Sequence, residues 1–288
     1  MVSQIQKEKA AAFLKLHTDP QILVLLNSWD PGSSKLIESC GLKAIATTSM
    51  GISASLGYPD CQAIPFIEMV EAIQRIVNKV NLPVTADIEA GYGKNLNEIV
   101  ESTELIILTG IVGINIEDSF NMSPKLVDEK EFCERITAIR DLSDLLGFHL
   151  VINARCDVFL TQSLLPMDRL KETIRRGNKY REAGADCIFV PDVWEEDKIA
   201  TLVKEIDSPI NILVNPTNGA GFPPSIRALQ DLGVARVSLG SSLMKATLSV
   251  TKKIADELIN YGTYNALENN LTPIQETLIA YKMATGKR

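Results

Sequence analysis

Carboxylates gather in the middle of this chain behind short apolar runs. Asp87 and Glu89 stand two positions apart after one run, Glu117 and Asp118 close the next, and Asn153, Arg155 and Asp157 close a third. On extended backbone, residues two apart share a face, so Asp87 points with Glu89, and Arg155 points with Asn153 and Asp157. Acids held that close repel one another, and a hard divalent cation removes the repulsion while leaving positions open for substrate oxygens. The competing reading is that these acids stabilise the positive ends of the helices that follow. Three acids on neighbouring strands exceed what helix ends require, so Asp87, Glu89 and Glu117 are expected to hold a metal. With two histidines (His17 and His149) and five scattered cysteines lacking any Cys-x-x-Cys pair, the donors must be mainly oxygen, which favours Mg2+, or Mn2+. A guanidinium facing such a pocket can clamp a substrate carboxylate and stabilise negative charge as it develops. Its structural alternative is a salt bridge from Arg155 to Glu117 or Asp157.

Eight strand-like runs position these residues, at 22–26, 44–47, 83–86, 113–116, 150–153, 187–190, 210–214 and 236–239. Helical spacing fills the intervals: Phe66, Met69, Val70, Ile73, Ile76 and Val77 form one stripe, and Phe132, Ile136, Ile139, Leu142, Leu145 and Leu146 another. Strands alternating with helices imply right-handed βαβ units and a parallel sheet. Gly41, Gly110, Gly184 and Gly233 precede the even-numbered strands, where glycine closes the preceding helix. That two-unit period suits a closed (β/α)8 TIM-type barrel better than an open sheet. Chemistry in such a barrel sits at the carboxyl ends of the strands. There the chain places Asn27, Thr47 to Ser49, the acids and arginine above, Asp192, Asn215 and Ser241. The hydroxyl-rich Thr48-Ser49-Met50 segment offers backbone N–H groups to an anion, Asn215 is a further candidate substrate contact, and Ser241 is read as a helix cap or a weak phosphate site. No lysine falls at a strand end, which argues against Schiff-base chemistry. Helical pattern continues through 241–261 and 273–285, one helix more than a barrel needs. Residues 1–288 are therefore read as a single barrel domain, with helices in 241–288 either capping their own barrel or exchanged with a neighbouring subunit.

The 288 residues are 45% hydrophobic and 23% charged, with a formal net charge of -7 and a pI near 5.1. That balance gives no basic face for nucleic acid and no grip on an anionic membrane. The first 18 residues mix Lys7, Glu8, Lys9 and Lys15 with short apolar clusters, unlike a signal peptide, and no segment approaches a membrane span. Scattered cysteines, odd in number, fit reduced thiols of the cytoplasm, each read as a small buried hydrophobe. The expected partner is a small molecule.

Four ordered motifs, Ser55-Leu56-Gly57-Tyr58-Pro59-Asp60, Asp87-Ile88-Glu89-Ala90-Gly91-Tyr92-Gly93, Gly113-Ile114-Asn115-Ile116-Glu117-Asp118 and Asn153-Ala154-Arg155, resemble the isocitrate lyase and phosphoenolpyruvate mutase superfamily. The likeness runs over about residues 20 to 260. It implies a barrel in which Asp87 holds Mg2+ directly while Glu89, Asp60 and Glu117 act through waters. It also implies that Arg155 faces the substrate, and that backbone groups of Thr48, Ser49 and Met50 hold the substrate carboxylate. Glu89 stands where the family has Asp, and its longer reach could move a water or make it a direct ligand. The implied chemistry is formation of a pyruvate-like enolate as a C–C or P–C bond breaks, with Arg155, Glu117 and Asp60 as catalytic residues. The resemblance further implies a homo-oligomer, dimer or tetramer, that exchanges its last barrel helix. Isocitrate and methylisocitrate lyases carry a Lys-Lys/Arg-Cys-Gly-His loop after the Ile-Glu-Asp strand, and mutases carry Lys-Thr-Asn-Ser. This chain reads Ser119-Phe120-Asn121-Met122-Ser123-Pro124-Lys125, with Asn121 and Lys125 as candidate substitutes. A C–C lyase acting on a small oxo or hydroxy dicarboxylate leads. A phosphonopyruvate-type mutase or hydrolase, and an oxo-acid-binding protein without turnover, remain as alternatives.

Overall fold

A computed structural model describes residues 1–120, 125–161, 164–215, 223–271 and 281. Its strands are β1 (Leu23–Leu25), β2 (Asn27–Ser28), β3 (Ile45–Thr47), β4 (Val84–Asp87), β5 (Gly113–Glu117), β6 (Val151–Arg155), β7 (Cys187–Val190), β8 (Ile210–Leu213) and β9 (Arg236–Ser238). All pair in parallel, in the order β1-β9-β8-β7-β6-β5-β4-β3-β2. The strand expected at 22–26 is split: β1 pairs with β9 and β2 with β3. Only Leu26 separates the two pieces, and its carbonyl accepts the Ala46 N–H at 3.2 Å. The sheet therefore closes on itself as the TIM-type barrel anticipated from the repeat.

Asn27 fastens that seam. Its Nδ2 donates to the Thr47 carbonyl at 2.8 Å, while its Oδ1 accepts the N–H groups of Leu239 and Gly240, each at 2.9 Å. A strand-end polar residue thus holds the first strand between its two neighbours, satisfying backbone groups that the ladder leaves open.

Around the sheet lie α2 (Pro31–Ser39), α3 (Ser49–Ser55), α4 (Phe66–Val77), α5 (Leu96–Ile107), α6 (Glu129–Leu145), α7 (Pro166–Glu182), α8 (Glu196–Glu205), α9 (Ile226–Asp231), α10 (Ser242–Tyr261) and α11 (Asn265–Glu268), after an initial α1 (Gln4–Leu16). The expected stripes bury Met69, Ile73 and Ile76 of α4 and Phe132, Ile136, Ile139 and Leu142 of α6. Leu145 is the exception at 84% exposure, because it lies a quarter-turn off the line through Phe132, Ile139 and Leu146. Gly41, Gly110, Gly184 and Gly233 all take positive φ, between 80° and 113°, after the helices they close.

Helix α1 plugs the amino-terminal end of the barrel, a role its sequence does not announce. Phe13 is fully buried, and a Cβ at Gly113 would meet its ring at 2.9 Å. Gln6 Nε2 donates to the carbonyls of Ile107 and Ile111 at 2.9 and 2.8 Å. Helix α10 confirms the first helical segment expected after the last strand, but Ser241 makes no side-chain cap at its start, so the capping role expected of that residue is not observed. The segment expected at 273–285 falls, apart from Tyr281, outside the described residues. Among the described residues no helix is long and apolar enough to cross a membrane.

Candidate active site at the carboxyl ends of the strands

A cavity of about 520 Å3 opens at the carboxyl ends of the strands, within the ~300–1,000 Å3 usual for small-molecule sites. Thr48, Ser49, Met50, Asp60, Asp87, Glu89, Glu117, Arg155 and Asn215, all chosen from sequence, line it together. Six carboxyl groups (Asp60, Asp87, Glu89, Glu117, Asp157, Asp192) face two cations (Arg155, Lys245) among its described walls. Neither histidine lines it.

Asp87 ends β4 on the inward face. Ser49 donates to its Oδ2 through both N–H (3.2 Å) and hydroxyl (2.8 Å), and the Asp87 N–H donates to Thr47 Oγ1 at 2.9 Å. The Ser49 N–H is therefore engaged by Asp87 in this structure. Met50, in the first turn of α3, keeps an N–H with no intrahelical acceptor. Thr48 is the N-cap of α3, accepting from the Gly51 N–H at 3.4 Å.

Glu89 is buried with φ at 51°. Its oxygens accept from the Gln62 N–H and the Tyr92 hydroxyl, both at 2.8 Å. Burial, reinforced by the nearby Asp87 charge, pushes its carboxyl up to about 7. Burial also raises Asp60, with Asp87 adding to the effect, and raises Glu117 well above the usual carboxylate range, with Arg155 opposing in part. Among the described residues every non-glycine with positive φ belongs to this region: Cys61, Glu89 and Asp192 line the cavity, while Gln62 and Tyr92 hold Glu89. Strained backbone gathered in one place is a mark of functional geometry.

Arg155 ends β6 and makes both salt bridges that its sequence position allowed. Nη1 lies 2.6 Å from Glu117 Oε2, and Nε and Nη2 donate to Asp157 at 2.6 and 3.0 Å. Burial alone would lower its pKa, but Asp157 and Glu117 outweigh that and raise it. The guanidinium is thus fixed, charged and partly exposed to the cavity. Ser119 completes the bracket, its one hydroxyl proton going to Asp157 Oδ2 at 2.5 Å while Glu117 Oε1 lies 3.3 Å from the same oxygen.

Asp118 departs from expectation. It points away from the cavity to accept from Tyr180 and Arg176 (2.5 and 3.2 Å) and from the Asp157 N–H (2.7 Å). Alternation along a strand explains this, since Glu117 faces in and its neighbour must face out. Lys125 is exposed and does not line the cavity, and Asn121 lies outside the described residues. The view that every cysteine is a buried hydrophobe also fails: Cys61 lines the cavity, its thiol pushed up to about 11 mainly by burial, and Cys40 is exposed. Lys245 reaches the cavity from the first turn of α10. Reading only strand ends misses it, although its place four residues after Ser241 was a usable signal.

The oxygen-donor set suits a cation. Among the described residues no group of three or more acidic, thiol or imidazole side chains stands ready to hold a metal ion by itself. The carboxylates lining the cavity are the donors used by an ion that keeps much of its water shell and takes one or two carboxylates directly, the habit of Mg2+. Asp87 keeps its second oxygen without a described donor, and Glu89, Glu117 and Asp60 line the same cavity.

Fold and site together define a TIM-type α/β barrel with an acid-rich mouth built around one clamped arginine. The chain belongs to the phosphoenolpyruvate phosphomutase family, whose model matches residues 13–259. Over 230 residues it is 34% identical to an uncharacterized Mycobacterium tuberculosis protein, covering 80% of this chain and 82% of that one. It is 27% identical over 269 residues to 2-methylisocitrate lyase of Bacillus subtilis, covering 90% and 84%. A crystal structure from Burkholderia cenocepacia J2315, described as a lyase/mutase, superposes with a TM-score of 0.87 at 32% identity, covering 96% of each chain.

Proposed function

We propose that this protein is a Mg2+-dependent carbon–carbon lyase that cleaves, or in reverse forms, a bond in a small α-oxo or hydroxy dicarboxylate through a pyruvate-like enolate. The observation that carries the reading is Arg155, held charged between Glu117 and Asp157 at the edge of an acid-rich cavity in a chain related to a C–C lyase.

Bound beside Asp87, with Glu89, Glu117 and Asp60 around it, Mg2+ would supply Lewis-acid polarisation of the substrate's oxygens. The chain's own residues do the rest. Arg155 faces negative charge as it develops on the three-carbon fragment, and its two carboxylate partners keep it from swinging away. Thr48, Ser49 and Met50 line the cavity and would hold the substrate carboxylate, Met50 through its backbone N–H, with Asn215 as a further contact. Two copies or more are expected to assemble through α10, in keeping with the apolar residues it exposes.

Calorimetric titration of oxalate, a planar enolate mimic, tests the reading on native protein and on Asp87→Ala, with and without Mg2+. Mg2+-dependent binding that vanishes in the variant is expected; no binding under any condition removes the enzymatic reading. The family's own description as a phosphomutase favours a second reading, a phosphonopyruvate-type reaction on a P–C bond. Release of phosphate from phosphonopyruvate, against release of pyruvate from an oxo or hydroxy diacid, separates the two. Affinity without turnover on either class would identify an oxo-acid-binding protein.

A further inference from the structure

Below the cavity the barrel is filled by polar side chains, one of them a buried cation. Arg236, on the inward side of β9, is 0% exposed, and no carboxylate lies within salt-bridge distance of it among the described residues. Its partners are neutral: Asn115 Oδ1 accepts from Nη2 at 3.1 Å, His17 Nε2 lies 3.4 Å from Nη1, and the Phe13 ring stacks 5.9 Å away. Its Nε has no partner at all. A buried charge so poorly matched is costly, and it stands one layer beneath the acids of the cavity.

The arginine fixes the direction of every hydrogen bond around it. A guanidinium only donates, so the Asn115 atom that meets it must be the carbonyl oxygen. Asn153 Nδ2 donates to the same oxygen at 2.8 Å, which leaves Asn153 Oδ1 buried without a partner. His17 conforms as well: burial, with the Arg236 charge, pushes it down to about 4. Neutral, it donates from Nδ1 to the Phe13 carbonyl at 2.9 Å and turns a lone pair at Nε2 toward the arginine. With its oxygen held by two donors, Asn115 has only its NH2 group left for the cavity it lines, between Asp87, its register partner on β4, and Glu117, two residues on.

We propose that Asn115 is a substrate-contacting hydrogen-bond donor to an anionic oxygen of the bound oxo acid, and that Arg236 is the positioning residue that keeps its amide from turning over. The proposal rests on the oxo-acid reading above, and a single series of titrations distinguishes its failure from the failure of that reading.

Oxalate is titrated by calorimetry in Mg2+ into native protein, Asn115→Leu, Arg236→Met and Arg236→Lys, each first shown to be folded by circular dichroism and thermal melting. The expected result is oxalate affinity at least tenfold weaker in Asn115→Leu, a charge-assisted bond being lost. Arg236→Met, which frees the amide to rotate, is expected to be several-fold weaker. Arg236→Lys, also a pure donor, should recover most of that loss even where its melting temperature is as low as that of Arg236→Met. A role in stability alone would make affinity follow melting temperature. In native protein the Asn115 side-chain amide pair, assigned by its disappearance in Asn115→Leu, should shift in 15N NMR spectra on adding oxalate. Oxalate binding by native protein that is matched in Asn115→Leu overturns this assignment and leaves the lyase reading standing. Native protein that does not bind oxalate overturns both.

Discussion

Arg155 donates to carboxylates on both sides, so its position does not depend on substrate. Lysine in its place would keep the charge but lose the planar fork that spans Glu117 and Asp157. Arg155→Lys is expected to lower kcat/KM by about 10²–10³ on whichever oxo or hydroxy acid is turned over, the range for removal of one preorganised donor; kinetics within threefold of native would remove Arg155 from the chemistry. Glu89 gives a second test, in metal-free protein. Its folded pKa of about 7 lies above the ordinary 4.5, so the fold is favoured by protonation: the advantage is complete below pH 4.5 and is lost as pH rises through 7. The loss is about 3 kcal/mol by linkage. Glu89→Gln should therefore gain stability relative to native by about that amount between pH 4.5 and 8 in urea melts with chelator; parallel pH profiles would defeat the assignment. The acids and arginine were legible because they follow apolar runs and alternate by face. The roles of Asn115 and Asp118 were not. The first depends on Arg236, brought across the barrel from 121 positions away, and the second on which side of β5 faces in.

At the level of elements, strand positions were readable to within about two residues, since each is an apolar run and most are entered through glycine or proline. The break at Leu26 and the sealing of the barrel by Asn27 were not, because one side chain bridging two distant backbones leaves no periodic trace. Nor does sequence spacing show that α1 is the barrel's floor: only the approach of Phe13 to Gly113 does. That contact makes its own prediction. A methyl group at 113 would lie 2.9 Å from the Phe13 ring and 3.0 Å from both Thr85 Oγ1 and the Val151 carbonyl. Gly113→Ala should therefore lose about 1–3 kcal/mol through overpacking, and Phe13→Leu on the same background should restore part of it. Additive losses in the double variant, measured by chemical denaturation, would show that the floor does not pack as described.

Across the whole molecule, α10 is out of keeping with a barrel that buries its other apolar stripes. It runs for 20 residues with Met244 its only buried residue, while Leu248, Leu258, Ile259 and Tyr261 are exposed, followed by Tyr264 and Leu267, which are exposed too. An apolar face of this extent on the helix that follows the last strand calls for cover, and we propose that a second copy offering the same helix supplies it with matching surfaces. The helix also brings Lys245 to the cavity, so its placement and the shape of the mouth are linked. Sedimentation velocity at micromolar concentration is expected to show a species heavier than the 31.6 kDa chain, and Ile259→Asp combined with Tyr261→Asp should shift it toward the monomer. Because the first turn of α10 helps wall the cavity, the dissociated variant should also bind oxalate more weakly although neither substituted residue lines the site. Native protein that sediments as a monomer at tens of micromolar would leave α10 as a cap of its own barrel, and oxalate affinity in the double variant should then match native.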